Sequence, residues 1–263
     1  MEEIITSGQN PRVKAVVALQ QKASERRRTG LFVVEGQREL SHALAAGYEM
    51  ETLYYCPEIC GEQALPIFGE ARTCVAVSRN VYAKMAYREG TEGVLAVLRA
   101  RHLALEDLPR VDAPLYVVLE SVEKPGNLGA VLRSADAARA DAVILCDALA
   151  DLYNPNLIRS SLGARFTVPV VACSSTECIA FLKRRGVRIL TAQLQDSELY
   201  YATDMRRATA LVMGTESTGL TTAWREAADA HIRIPMRGRL DSLNVSVSAA
   251  ILLFEAVRQR LGE

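Results

Sequence analysis

Three polar, glycine-bearing stretches in the second half of this 263-residue chain hold the side chains best suited to chemistry. The first is Glu120-Ser-Val-Glu-Lys-Pro-Gly-Asn-Leu-Gly-Ala-Val-Leu-Arg-Ser-Ala135. There Pro125-Gly126 sets a turn, Asn127 is of the type that caps a helix, and Gly129 lets backbone or ligand approach closely. Arg133 follows, near a helix start and the end of an apolar run, either as an ordinary exposed cation or as a grip for phosphate. The second stretch, Met213-Gly-Thr-Glu-Ser-Thr-Gly-Leu220, places two glycines around the single acid Glu216 and reads as a backbone cradle. It is not a phosphate-binding P-loop, because no Lys-Ser/Thr follows the second glycine. The third, Ile234-Pro-Met-Arg-Gly-Arg-Leu-Asp-Ser-Leu-Asn-Val245, carries Ser242 and Asn244 just before a long apolar segment. Those two are either caps for its helix or polar atoms kept for a ligand.

Regular elements must position these loops. From residue 114 onward the pattern predicts strands over 115–119, 142–146, 167–172, 188–191, 209–213 and 231–234. Helices are expected over 128–140, 156–162 and 176–185, with a closing helix that runs to Leu261. Continuous apolar strands alternating with helices mean a parallel sheet covered on both faces. In such sheets ligands sit beyond the carboxyl ends of the strands, where all three stretches fall. On the first helix Leu128, Val131, Leu132 and Ala135 form the core-facing stripe, and Arg133 lies roughly 140° round from Leu128. In the closing helix Ala250, Phe254, Val257 and Leu261 recur at helical spacing, and Ile251, Leu252 and Leu253 widen the stripe beyond one face. A helix this apolar belongs in a core or an interface.

Upstream, residues 1–99 read as a separate α/β unit. A helix over 10–28 carries Val13, Val16, Val17 and Gln20 on its apolar side and stops at Gly30. Strands follow over 31–34, 52–55, 73–77 and 94–98, the last just behind Gly93, with an alanine-rich helix that ends at Gly47. Arg26, Arg27 and Arg28 are either a solvated helix end or a phosphate-contact patch. Residues 100–113 have weak periodicity, with Pro109 inside and Pro114 just beyond. A linker is expected there, leaving 114–263 as the second domain.

Composition narrows the class. Hydrophobic residues make up 49% and charged residues 24% of the chain, which is a globular balance. Lys plus Arg equals Asp plus Glu at 31 each, so any nucleic-acid surface must be a local patch. No apolar run approaches a membrane span, and the N-terminus lacks the layout of a signal peptide, which points to the cytoplasm. The six cysteines form no CxxC pair and there are three histidines, so the spacing predicts no metal and small, reduced core thiols.

The order of the motifs adds a resemblance. Asn-x-Gly-Ala-x-x-Arg-Ser-Ala, then Met-Gly-Thr-Glu-x-x-Gly-Leu, then Ile-Pro-Met-x-Gly-x-x-x-Ser-Leu-Asn-Val-Ser-Val resemble the three signature motifs of the TrmH-like (SpoU) SPOUT RNA ribose 2′-O-methyltransferases. The likeness spans residues 115–261, and Tyr153-Asn-Pro-Asn-Leu-Ile-Arg-Ser-Ser-Leu-Gly-Ala164 is similar to the family's middle region. Leu31-Phe-Val-Val-Glu-Gly36 and Glu92-Gly-Val-Leu-Ala-Val97 resemble its L30e/L7Ae-like RNA-binding front domain. Chain-connection rules alone predict an unknotted sheet; the resemblance instead implies a deep trefoil knot in a C-terminal α/β domain that binds S-adenosylmethionine and pairs as a homodimer. It implies that Gly214, Ile234 and Leu243 line the donor pocket, with Thr191, Met236 and Val245 beside them. It gives Arg133 the central role, Asn127, Ser242 and Asn244 orienting roles, and Glu216 either a tuning or a loop-holding one. RNA contacts are expected from Arg26, Arg27, Arg28, Arg165 and Arg237, with Arg12, Lys14 and Arg239 as further candidates. Ser217-Thr218 departs from the family where a glycine usually follows the Glu, as does Ala140 where a glycine often ends the first helix. The implied activity is 2′-O-methylation of RNA, with ribosomal RNA the expected substrate. The alternatives are a transfer-RNA 2′-O-methyltransferase and a non-catalytic dimeric RNA-binding protein. A dinucleotide enzyme is disfavoured, since no G-x-G-x-x-G follows the first strand of either unit.

Overall fold

The structure is a computed structural model that describes residues 4–61, 67, 69–87, 92–147, 151–215 and 218–262. In chain order the elements are α1 (Pro11–Gln21), α2 (Ala23–Thr29), β1 (Leu31–Glu35), α3 (Gln37–Ala45), β2 (Met50–Tyr55), β3 (Thr73–Ala76), α4 (Arg79–Met85) and β4 (Val94–Arg99). A short 3₁₀ turn (Leu105–Asp107) precedes β5 (Leu115–Glu120), α5 (Pro125–Ala137) and β6 (Ala142–Cys146). Then come α6 (Pro155–Ser160), α7 (Ala164–Thr167), β7 (Val170–Cys173), α8 (Ser175–Arg184), β8 (Arg188–Ala192) and β9 (Glu198–Leu199). The chain closes with β10 (Thr209–Met213), α9 (Thr222–Ala227), β11 (Ala230–Arg233) and α10 (Val245–Leu261). Two compact units result: Met1–Arg101 with Asp151–Thr167, and His102–Ala150 with Val168–Glu263.

The first unit carries a mixed four-stranded sheet in the order β1-β4-β2-β3, antiparallel except for the β2/β3 pair. Its core gathers Val13, Val16 and Leu19 of α1 with Val33, Tyr82 and Leu95. Gly93 is required here: its φ is +77°, and a Cβ would press on the Cys60 backbone. The single helix expected over 10–28 breaks at Lys22, which is extended (φ −119°, ψ 113°), and Leu19 completes the buried face. The break frees carbonyls at the end of α1, and the buried Arg26 guanidinium donates to two of them, Leu19 and Gln20 (3.0 Å for the latter).

The expected second domain, 114–263, is not one continuous block. Asp151–Thr167 folds with the first unit. Arg26 Nε donates to Asp151 Oδ2 at 2.7 Å, and the Tyr153 ring lies 4.3 Å from that of Phe32. Tyr48 meets Phe166 edge-on at 5.2 Å, and the Tyr153 hydroxyl accepts from Arg101 N at 2.7 Å. An aromatic cluster of this kind outweighs sequence adjacency. The linker expectation changes too: Leu105 and Leu108 are buried in the second unit's core, and Leu103 bridges to Val171. One 3₁₀ turn and one bridge are too short to leave a periodic signal.

The second unit is built on a seven-stranded, wholly parallel sheet in the order β7-β6-β5-β10-β8-β11-β9. β9 and α9 were not expected from the pattern; α9 buries Trp224 completely. α10 packs against α5. The α5 face is Leu128, Val131, Leu132 and Ala135, as the spacing predicts, and Arg133 is exposed. On α10 the buried face is Val245, Ala249, Leu252, Leu253 and Ala256. The expected stripe therefore needs correction: Phe254 is 49% and Leu261 69% exposed, on the side away from α5. A helix apolar all round carries two stripes, and only its packing partner selects between them. No helix among the described residues is long and apolar enough to cross a membrane.

Candidate active site

β10, β8 and β11 are neighbours, and their carboxyl ends open on a cavity of about 360 Å³. That volume lies within the ~300–1,000 Å³ range of small-molecule sites. Its wall is Ala192 to Gln195 at and after the end of β8, Gly214, Thr215, Thr218, Gly219 and Leu220 after β10, and residues from the end of β11 to the start of α10. Gly214, Ile234, Met236, Leu243 and Val245 all line it, as do Ser242 and Asp241. Thr191 does not. It is fully buried, its Oγ1 2.6 Å from His231 Nδ1, and the next residue, Ala192, takes the lining position.

The loop after β10 is folded tightly on itself. Gly219 N donates to Thr215 O at 3.0 Å, and the Thr215 and Thr218 hydroxyls lie 2.7 Å apart. Gly219 has φ +67°, and a Cβ on Gly214 would run into the Gly219 carbonyl and Leu220 N. Gly214 is therefore demanded by backbone-to-backbone approach, which leaves amide groups rather than side chains at the cavity wall. Glu216 and Ser217 lie outside the described residues.

The first and third motifs meet directly. Asn244 caps α10: its Oδ1 accepts from Ser246 N at 3.0 Å and from Ser246 Oγ at 2.6 Å. Its Nδ2 then donates to Asn127 Oδ1 at 3.2 Å. Asn127 is not a cap; α5 begins at Pro125, and Asn127 stands in its first turn. Ser242 Oγ donates to Asp241 Oδ1 at 3.3 Å at the cavity wall. Arg133 has no hydrogen bond or ion pair with any described residue and does not line the cavity.

Sequence reading missed two participants. Glu120, buried at the end of β5, accepts from Thr221 N at 2.8 Å, Thr221 Oγ1 at 2.7 Å and Ser175 Oγ at 3.3 Å. Trp224 Nε1 donates to the same Ser175 hydroxyl at 2.8 Å, so the network ties the first motif to the start of α9. An acid at the end of an all-apolar strand is the signal that could have found it. Arg225, on the unexpected α9, lines the cavity.

The expected RNA-contacting cations divide by burial. Arg26 is paired with Asp151 and 6% exposed. Arg165 is 4% exposed, its Nε donating to Leu152 O at 3.1 Å and its guanidinium 4.9 Å from the Tyr153 ring centre. Both guanidinium groups are used up inside the first unit, which removes them from the surface set. Arg27 and Arg237 are exposed, as are Arg12, Lys14 and Arg239; Arg28 is exposed and paired with Glu25.

A backbone-walled cavity at the carboxyl edge of a parallel sheet defines an α/β enzyme that works on a bound small molecule. Residues 114–254 match the model of the SpoU rRNA methylase family, and residues 10–96 match that of the MRM3-like substrate binding domain. The 23S rRNA (guanosine(2553)-2′-O)-methyltransferase of Bacillus subtilis is 32% identical over 95% of this chain and 97% of its own length. An S-adenosylmethionine-bound rRNA methyltransferase from Sinorhizobium meliloti superposes with a TM-score of 0.89 at 32% identity, covering 98% of each chain. The SpoU methyltransferase AviRb from Streptomyces viridochromogenes, also solved with S-adenosylmethionine, gives 0.88 at 31% identity over 96% of this chain and 99% of that one. The chain belongs to the SpoU rRNA methylase family. Its fold is that of the SPOUT methyltransferases.

Proposed function

We propose that this methyltransferase transfers the methyl group of S-adenosylmethionine to a ribose 2′-hydroxyl of ribosomal RNA. The donor site is the cavity at the ends of β8, β10 and β11, and Arg133 grips the phosphate beside the target ribose. The observation that carries this reading is the cavity itself: the second and third motifs, separated by α9 and β11, wall it together. Its residues suit the donor. The Gly214 turn offers backbone amides to an adenosyl group, Leu243, Ile234 and Met236 offer apolar surface, and Asp241 and Ser242 offer polar partners.

When bound, S-adenosylmethionine supplies a methyl group already activated on a positive sulfonium. What remains for the chain is alignment of the hydroxyl and removal of its proton. Holding two partners in line is worth roughly 7–11 kcal/mol of barrier. Arg133 is better suited to binding an anion than to taking the proton, since a guanidinium offers five donors and no acceptor. As an exposed cation without a partner among the described residues it is open to the RNA backbone, where its charge lowers the pKa of the neighbouring hydroxyl. Asn244, fixed by its cap and by Asn127, orients the third motif against α5. Glu216 acts from the second motif.

The reading includes the trefoil knot of the family, formed around the second and third motifs, and a homodimer in the cytoplasm. The outward side of α10, with Val247, Phe254 and Leu261 exposed, supports a paired subunit there. Front-unit cations such as Arg27 contact RNA backbone. The deciding experiment is mass mapping of 2′-O-methyl sites in ribosomal RNA from cells with and without the protein, beside calorimetry with S-adenosylmethionine. One site lost with the protein, and a donor that binds, are expected. An unchanged methylation map, or no heat with the donor, overturns the reading.

A further inference from the structure

Away from the cavity, the sulfur atoms of Cys146, Cys173 and Cys178 all lie within 4.8 Å of one another. Cys173 and Cys178 stand as a C-x4-C pair, a spacing ligands can have, but Cys146 lies far from them in the chain. Cys146 is the last residue of β6 and Cys173 the last of β7, and the two are register partners in the parallel sheet. Cys178 comes from the opening of α8. We propose that these three cysteines form a binding site for a thiophilic divalent ion, zinc or its heavier congener cadmium, held by three thiolates with an open fourth position.

Geometry supports it first. A tetrahedral ion with metal–sulfur bonds of roughly 2.3 Å wants its sulfurs about 3.8 Å apart, so the trio is within about an ångström of the required spacing. Among the described residues no histidine nitrogen or carboxylate oxygen joins the cluster at that distance. An all-sulfur donor set selects soft ions and excludes magnesium and calcium.

The backbone under the three sulfurs is held in place before any ion arrives. Ser174 Oγ accepts from Glu177 N at 3.2 Å, while Ser174 N donates to Glu177 Oε2 at 2.8 Å, closing the cap of α8. Asp147 N donates to Cys173 O at 3.0 Å, and Ser175 N to Asp147 Oδ2 at 3.1 Å. These bonds tie the ends of β6 and β7 to the start of the helix that carries the third ligand. Three thiolates on a divalent ion leave one net negative charge, and the start of α8 is the end of a helix that favours it.

Access and protonation fit as well. Cys146 and Cys178 are fully buried, but Cys173 is only partly buried and gives an ion its entry. S–H donation from Cys146 and Cys178 holds the Cys173 thiol well below its ordinary value, against burial and the nearby carboxylates of Glu177 and Asp147. Cys146 is pushed up by its thiol neighbours and burial. Cys173, the most accessible of the three, is the first to meet an incoming ion, and the thiols lose their protons as it binds.

The test is cadmium titration of the full, reduced, metal-free chain, followed by thiolate-to-cadmium charge-transfer absorption in the ultraviolet. One equivalent per chain with the intensity of three thiolates is expected, and affinity that rises with pH. Cys173→Ser and Cys178→Ser should each weaken binding by at least the roughly tenfold that loss of even an outer partner costs. Cys60→Ser, in the first unit, should change nothing. Near-ultraviolet circular dichroism of the metal-free variants shows that each is folded; should Cys178→Ser not fold, Cys173→Ser, at the partly buried position, alone carries the test. Wild-type protein without the absorption, or an undiminished signal in Cys173→Ser, overturns the site. So does a trio that takes up no cadmium and only forms a disulfide under mild oxidation.

Discussion

Arg133 and Gly214 act through opposite properties, one through a charge and the other through the lack of a side chain. Arg133→Ala removes an exposed cation that nothing in the described fold uses. We predict that kcat/KM for methyl transfer falls by at least about a hundredfold, the usual loss for one charge-stabilising donor. Affinity for S-adenosylmethionine should stay within a few fold in the same calorimetry; retained activity would end the role given to Arg133. Gly214→Val drives a branched side chain into the Gly219 carbonyl. Its expected result is the reverse: loss of donor binding, with the front unit's RNA affinity kept in filter-binding assays. Donor binding at the wild-type level in that variant would show that the cavity is not the donor site.

At the scale of elements, α10 has three tasks on three sides. Its inner side packs on α5, its start carries Asn244 into the site, and its outer side leaves Phe254 and Leu261 uncovered. Phe254→Glu should turn the proposed dimer into a monomer in sedimentation experiments while leaving each chain folded, because Phe254 is already 49% exposed. A dimer that persists would place the interface elsewhere. The same helix buries Glu255, whose carboxyl is held below the ordinary range chiefly by its hydrogen bond to Arg258, with Gln259 adding to it against burial. A carboxyl with a depressed folded pKa contributes stability above its unfolded value, near about 4.3, and loses it as pH falls through the folded value. Glu255→Gln should therefore melt lower than wild type at neutral pH, and the gap should close on acidification below about pH 4.3. A constant gap across that window would mean that the charge contributes nothing.

For the whole molecule, burial separates cations that hold the fold from those free to meet RNA. Arg26→Ala leaves Asp151 without its cationic partner in a largely dry setting, and a loss of about 3 kcal/mol in stability is expected. Arg27→Ala, one residue on but exposed, should leave the melting temperature unchanged. It should instead lower the slope of log affinity against log salt by about 0.7–0.9, one phosphate contact. Thermal melts and salt-dependent RNA binding on the two variants check both outcomes. Equal effects of the two on either measurement would contradict the division.

Much of this was legible in the residues alone, because the signals were local. Strands over 142–146 and 209–213 follow from continuous apolar runs, and the α5 stripe of Leu128, Val131, Leu132 and Ala135 from helical spacing. The three glycine-bearing loops were visible because turns and close approach demand particular residue types, while Gly214, Ile234, Met236 and Leu243 were placed at the cavity by the family resemblance. Other features rest on which surfaces meet, and no one-dimensional pattern records that. The sense of α10, the return of Asp151–Thr167 to the first unit, the burial of Arg26 and Arg165, and the exclusion of Thr191 from the cavity were decided by tertiary packing. The sulfur trio is the plainest case. Cys173 and Cys178 form a C-x4-C pair, but nothing in the chain links Cys146 to them, and only the parallel register of β6 with β7, closed by α8, puts the three sulfurs side by side.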